Sequence, residues 1–410
     1  MPESEYSNAV NSLFEIFNGF PSCREERLHS IQLAKHLFKI NWIKHKGIIM
    51  SYSFFRPKLV GKRIMIDVLT PKQALLFGKV KEKLEKKGCE TYIVSRKYIE
   101  LTNIFKLSRI KPIIVGKHGG RDLYNKLVYS LKRTLMLSKL LKKLSPEIVL
   151  SFSSPEAARA SFGLNIPHIS VNDSPHSLYV AKLTIPLSRK LLTPRIVGEK
   201  AWLDYGISRE NIITYNSLDP VAWLRDFTPN RSVLKKYGLS GGEYIVYRPE
   251  EYAASYLNSG CPTLETVSRT YFRERSLKDM KLVIVPRYEK ETYRKIFRNS
   301  SVVILNHGED TRSILFYSRC FIGAGGTMNT EAVLMGVPTV SLYPSSTIVE
   351  EFLVKKGLLV KATDERGLRR WLRRTVQIEF NEDKRLSSLM KLRSMEDPAE
   401  KIAETCLSLS

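Results

Sequence analysis

Apolar residues recur along this chain in two alternating rhythms, and the alternation starts only at Arg63. Short unbroken apolar runs at Ile64–Asp67, Thr91–Ser95, Lys111–Val115, Ile148–Phe152 and His168–Val171 are separated by stretches in which apolar positions return every three or four residues. Runs of four to six residues without polar relief predict strands buried on both faces, and the slower period predicts helices that cover them. Helices are expected at Pro71–Lys87, Asp122–Leu144 and Pro155–Phe162, the first and third opened by proline, which fits a first helical turn. The longest gathers Tyr124, Leu127, Val128, Leu131, Leu135 and Leu141 on one face, which is expected to pack on the sheet.

After strands near Leu191–Thr193 and Asn211–Tyr215 the pattern lapses between Asn216 and Ser240, where Pro220, Pro229 and Gly238 fall. It then resumes, with strands at Tyr244–Arg248, Leu282–Pro286, Val302–Leu305, Cys320–Ile322 and Thr339–Leu342 and helical segments between them. Helices near Gly367–Gln377 and Ala399–Leu407 close the chain. Strand-helix alternation of this kind predicts an α/β protein with parallel, doubly wound sheets. The expected division is a basic extension over 1–62, a first domain over 63–215, a linker over 216–243 and a second domain over 244–410. Residues 1–49 contain no strand-helix unit and are expected to be dispensable for folding, and Met50 offers an alternative start.

Two such domains set the carboxyl ends of their strands across a shared cleft, and polar residues cluster there. The first half supplies Asp67, Thr70, Lys72, Lys117, His118, Glu156, Asn172, Asp173 and His176, and the second Arg248, Glu250, Arg287, Asn306 and the stretch Gly323-Ala-Gly-Gly-Thr-Met-Asn329. In that stretch a strand breaks at Gly323, Gly325 and Gly326 and a helix begins at Thr327. Such a turn lets backbone N–H groups and the positive end of the helix approach an anion. Glu331, one turn further on, is placed to accept two vicinal hydroxyls of a ribose whose phosphates lie on the loop. A plain strand-to-helix turn is the alternative, although the small polar residues Thr327 and Asn329 are not needed for one. Dinucleotide binding is disfavoured, because Met328 stands where a third glycine would be required and the next strand ends in Tyr343-Pro344 without an acid.

Charge is the compositional outlier. The 410 residues include 66 Lys and Arg against 41 Asp and Glu, a net charge of +25. Between Glu26 and Asp67 there are nine basic residues and no acid, and Arg121 to Lys143 holds seven against Asp122 alone. An anionic membrane surface, a lipid-phosphate acceptor, phosphorylated substrates and a plain solvated surface all fit, whereas sparse aromatic interleaving argues against nucleic acid. No apolar run approaches the roughly 18 residues that a spanning helix needs, and Met1–Phe20 lacks the form of a signal peptide. Five scattered cysteines form no metal or disulfide pattern. A cytoplasmic protein, peripheral on the membrane in one reading, is expected.

For chemistry, Asp173, His118 and His176 are the candidate bases. His118 sits in Gly116-Lys-His-Gly-Gly120, and both His118 and His176 also read as solvated loop residues, while Asp173 equally caps its own turn. Thr70 is expected to cap the helix that Pro71 opens. Arg248 and Arg287 are candidates to neutralise phosphates. No Asp-x-Asp pair occurs, so a metal-free mechanism resting on helix dipole and basic side chains is expected.

Gly326 followed by Glu331-Ala-x-x-x-Gly336-x-Pro338 resembles the nucleotide-sugar site of the two-domain GT-B glycosyltransferases, and most of all UDP-N-acetylglucosamine 2-epimerase. From Ile64 to about Val360 the chain is similar to an uncharacterised prokaryotic family of that fold. The similarity is carried by Ile66-Asp67-x3-Pro71, Gly116-Lys-His-Gly-Gly120, Ser154-Pro-Glu-Ala-Ala158, Asn172-Asp173 and Gly323–Asn329. The resemblance implies a GT-B-like pair of Rossmann-like domains. It also implies phosphate binding by Gly325, Gly326 and Thr327, and ribose binding by Glu331. The loop departs from the epimerase, which has one residue fewer between its glycines and Glu-Ala and a serine where Ala324 stands. The expected function is glycosyl transfer from a nucleotide-sugar, UDP-linked as the first choice and with no other cofactor. Epimerisation or hydrolysis of the same donor is the alternative, and a non-catalytic polyanion-binding protein is the rival from another class.

Overall fold

In the computed structural model the residues described are 61–108, 110–120, 122–250, 262–287, 290–306 and 309–409. The expectations for residues 1–49 lie outside them. Two parallel sheets organise the chain. The first contains β1 (Arg63–Val68), β2 (Glu90–Lys97), β3 (Ile113–Lys117), β4 (Ile148–Ser151), β5 (His168–Val171), β6 (Lys190–Pro194) and β7 (Ile212–Tyr215), in the spatial order β3-β2-β1-β4-β5-β6-β7. The second contains β8 (Tyr244–Arg248), β9 (Lys281–Ile284), β10 (Val302–Ile304), β11 (Cys320–Gly323), β12 (Thr339–Ser341) and β13 (Val360–Lys361), in the order β10-β9-β8-β11-β12-β13. The expected α/β architecture of two doubly wound parallel sheets is thus the one found.

The central strands are apolar because helices cover both of their faces. Every residue of β1 after Arg63 is buried, as are all four of β4, β5 and β11. Each fully buried Ile, Val, Leu or Phe contributes about 1.5–3 kcal/mol relative to exposure. In each sheet the order reverses at one point, between β1 and β4 and between β8 and β11, and there the strand ends open a crevice. Arg248, the last residue of β8, lies in register with Gly323, the last of β11. The glycine stretch therefore leaves the sheet at its switch point.

Three placements differ from the sequence pattern. The helix Leu123–Leu144 packs through Arg133, Leu137 and Leu141, whereas Tyr124, Leu127, Leu131 and Leu135 point to solvent. Of the face expected to meet the sheet, Leu141 alone is fully buried. The reason is Arg133: it donates to both carboxylate oxygens of buried Asp67, Nη1 to Oδ2 at 3.0 Å, and through Nε to the Val115 carbonyl at 3.0 Å. That fork fixes the rotation of the helix, since a buried guanidinium without its partner is far costlier than exposed leucines. The stretch 216–243 is structured, with short helices Val221–Leu224 and Ser232–Lys235, and all four residues of the first are buried. Finally, the terminal helix Pro398–Ser408 lies on Pro71–Lys86 of the first sheet, where Lys83 pairs with Asp397 and Glu400, each at 2.9 Å.

Candidate functional site

Between the sheets lies a cleft of about 1280 Å³, lined from both halves. One wall is the loop at the end of β11. Gly325 and Gly326 both have φ +88°, a conformation that side chains resist, and Gly326 takes the N-cap position of the helix Thr327–Leu334. The two glycines serve different ends. A Cβ on Gly325 would stand 2.7 Å from the Tyr343 ring, so Gly325 makes room for protein rather than for a ligand. A Cβ on Gly326 would meet nothing nearer than Arg287 Nη2 at 3.8 Å, and Gly326 lines the cleft together with Thr327 and Asn329. Gly323 does not line it. A Cβ there would strike the Asn329 side chain, whose Oδ1 is buried with no hydrogen-bond partner.

Glu331 follows on the same helix. It lines the cleft, yet it is only 5% exposed, and Trp223 Nε1 donates to its Oε1 at 2.8 Å. Burial pushes its carboxyl up to about 7, against the opposing pull of the indole N–H and of Arg312. Glu331 thus ties the second half to the stretch that connects it to the first, as well as facing the cleft. Its truncation would strand a buried N–H, so the side chain has a structural part beside any role toward a ligand. Arg248 and Arg287 also line the cleft. Arg248 Nη1 donates to the Pro286 carbonyl at 2.7 Å and Arg287 Nε to the Pro249 carbonyl at 2.8 Å, and these bonds help to hold both side chains in the cleft wall. Arg312, which sequence reasoning missed, lines the same cleft in a fork with Asp310 at 2.8 and 2.6 Å.

The facing wall belongs to the first sheet. Lys72, just inside the helix Pro71–Lys86, lies 2.5 Å from Asp173 Oδ2 and 2.6 Å from Asp219 Oδ2, with its ammonium over the Phe152 ring at 4.3 Å. Tyr215 donates to the other oxygen of Asp219. Burial alone would discharge all three ionisable groups. The ion pairs outweigh it for Lys72, whose pKa is raised, and for Asp173, whose carboxyl is held below its ordinary value. Asp219 is pushed up, by burial and then by the nearby Asp173 charge, more than Lys72 pulls it down. One ammonium thus serves two carboxylates in a cleft wall, an arrangement suited to holding or moving a proton.

Asp173 and His118 both line the cleft, and His176 does not. His118 is exposed at the rim, stacked on Tyr98 with ring centres 5.8 Å apart, and its Nδ1 accepts from the Gly120 N–H at 3.0 Å. Asn172 accepts from the Ser174 N–H at 2.8 Å, and this turn presents Asp173 to Lys72. Thr70 occupies the N-cap position without a side-chain capping bond and lines the cleft instead. Lys72 was visible as a polar residue at a strand end. Asp219 and Trp223 carried no such signal, because they fall in the stretch read as a linker.

With this geometry in view, comparison with known proteins is informative. A family model described as protein of unknown function (DUF354) matches residues 62–408. The chain belongs to this family. It is 28% identical over 353 residues to an uncharacterised protein of Methanocaldococcus jannaschii, covering 84% of this chain and 98% of that one. Among solved structures it is similar to UDP-N-acetylglucosamine 2-epimerase of Rickettsia bellii, with a TM-score of 0.67 and 15% identity over 85% of this chain and 96% of that one. The epimerase of Methanocaldococcus jannaschii, in complex with UDP-GlcNAc and UDP, gives 0.62 and 15% over 84% and 99%. The glycotransferase of kitacinnamycin gives 0.56 and 12% over 84% and 98%. At these identities the likeness establishes the fold of the DUF354 chain, the two-sheet GT-B arrangement, and that alone.

Proposed function

We propose that this DUF354 protein is a nucleotide-sugar-dependent glycosyltransferase that works without a metal. The observation that carries the reading is the glycine loop at the β8/β11 switch point, where Gly326, Thr327 and the helix start line one cleft with Arg248, Arg287 and Arg312. Backbone N–H groups and guanidinium groups lining one cleft suit a diphosphate, each charge-assisted bond adding about 1.5–3 kcal/mol. Glu331 takes the ribose, and the sugar reaches toward Lys72, Asp173 and Asp219. In transfer, the acceptor hydroxyl gives its proton to Asp173, its oxygen bonds to the anomeric carbon, and the bond from that carbon to the diphosphate breaks with the electron pair leaving on phosphate. Developing negative charge there is met by the loop N–H groups and the arginines. Asp173 becomes an effective base once Lys72 turns from it to the substrate or leans on Asp219. His118, at the rim, is the alternative base.

A second reading, epimerisation or hydrolysis of the same donor, draws support from the likeness to the 2-epimerases and from the acid pair on one lysine. Calorimetry with UDP-, GDP-, CMP- and dTDP-sugars, followed by product analysis, tests all of this. The expected result is selective binding of UDP-sugars, retained by Asp173→Asn while turnover is lost. An epimer or free sugar formed without acceptor would select the second reading. Absence of any nucleotide or nucleotide-sugar binding to the wild type would overturn both in favour of a non-catalytic, polyanion-binding role.

A further inference from the structure

The outward half of the helix Leu123–Leu144 is apolar where a solvated helix face is polar. Tyr124 is 73% exposed, Leu127 57%, Leu131 61% and Leu135 60%, and Met136 is exposed beside them. On the same half lie Lys132, Lys139, Lys142 and Lys143, all exposed. The helix carries no acid. Next to it packs Pro155–Gly163, and next to that Leu178–Thr184. These add exposed Phe162, Tyr179 and Leu183, with the cations Arg159 and Lys182. The one acid in the three helices, Glu156, is buried. Most of the large hydrophobic side chains exposed among the described residues gather on this layer and the adjoining β3 edge.

We propose that this helix layer docks the protein on an anionic lipid bilayer. Leucine and aromatic side chains enter the boundary between headgroups and acyl chains, and the interleaved lysines meet lipid phosphates. Charge decides between the two occupants that an apolar face invites. A second copy packed through the same face would set lysine against lysine with no acid to answer it, while an anionic surface answers all of them. No helix among the described residues is long and apolar enough to cross a membrane, so the contact is in the plane of the surface. Lys126, Tyr129 and Ser130, on the inner flank of the same helix, line the cleft wall, so the helix that docks is also part of the cleft. The inference goes beyond the proposed reaction and does not depend on it.

The test uses the full chain without nucleotide, in flotation with vesicles of phosphatidylglycerol and phosphatidylcholine and with vesicles of phosphatidylcholine alone. The wild type is expected to float with the first, at least about tenfold better than with the second, and to be released by high salt. K132E/K139E and L131Q/L135Q alter exposed side chains only, so both are expected to melt like the wild type while each lowers vesicle partitioning about tenfold or more. Equal recovery with neutral vesicles overturns the proposal. So does undiminished binding by both variants, which would assign lipid binding to the basic residues before Arg63. A dimer that ignores vesicles, and whose mass halves in L131Q/L135Q by light scattering, would assign the face to a second copy.

Discussion

Replacing Glu331 by glutamine is expected to stabilise the unliganded protein, and to do so only above mildly acidic pH. The carboxyl is buried, and its pKa stands at about 7 rather than the ordinary 4.5. A native pKa above the unfolded one means that the folded state holds the extra proton between these values. Stability therefore falls as pH rises from about 4.5 to about 7 and is level beyond. At 1.36 kcal/mol per pH unit the full loss is about 3 kcal/mol. Glutamine keeps a carbonyl to accept from the Trp223 indole N–H and never ionises, so it avoids that loss. Thermal unfolding of wild type and Glu331→Gln in matched buffers from pH 4.5 to pH 8 reads the effect. The melting temperatures should converge at the acid end and separate to about 5 °C in favour of glutamine at pH 8. A difference that is constant across the series, or one that reverses with rising pH, would refute the assignment of a buried, protonatable carboxyl at this position.

Other substitutions probe the remaining parts of the site. Glu331→Ala should lower stability by about 1–3 kcal/mol in urea unfolding, because it leaves the Trp223 N–H buried without an acceptor, and should also weaken UDP binding about tenfold in calorimetry. Lys72→Met removes the cation between Asp173 and Asp219 and is expected to cost about 3–5 kcal/mol at pH 7, with part of the loss recovered at acid pH as a carboxylate takes up a proton. Gly325→Ala drives a methyl group into the Tyr343 ring at positive φ and should destabilise by about 1–3 kcal/mol without ligand. Gly326→Ala carries the same positive-φ strain without the clash against protein, and should in addition weaken nucleotide affinity because Gly326 lines the cleft, so titration calorimetry beside thermal unfolding separates the two effects.

The strands were legible wherever burial on both faces left an uninterrupted apolar run, as at Ile64–Asp67 and Cys320–Ile322. The two residues of β13, both half-buried, gave no run to read. The helix Leu123–Leu144 was found, but its orientation was misread. Periodicity marks an apolar face without saying what lies against it, and here a buried Arg133–Asp67 fork outranked the leucines. At the site, residues of one local stretch were readable, and the glycine loop, Glu331 and Asp173 all reach the cleft. Contacts between distant stretches were not readable. Lys72 meets Asp219, and Trp223 meets Glu331, across separations of more than a hundred residues, and neither pairing leaves a trace in local spacing.

Because the last helix returns to the first sheet, the backbone passes between the halves twice. The outward passage runs through Asn216–Arg225 and the return through Arg393–Asp397. They are tied side by side: the Asn216 N–H donates to Glu396, Arg225 Nη2 to the Arg393 carbonyl at 2.9 Å, and Arg393 Nε to the Arg225 carbonyl at 3.2 Å. A single covalent tether permits swivel in any direction. Two passages bound to each other behave like the leaves of a door hung on one pin, leaving opening and closing about a line through the pair as the soft motion and resisting twist. Lys62 Nζ, donating to the Leu407 carbonyl at 2.7 Å, fastens the end of the returning helix beside the start of β1. The far terminus of the chain thereby becomes part of the hardware on which the cleft swings.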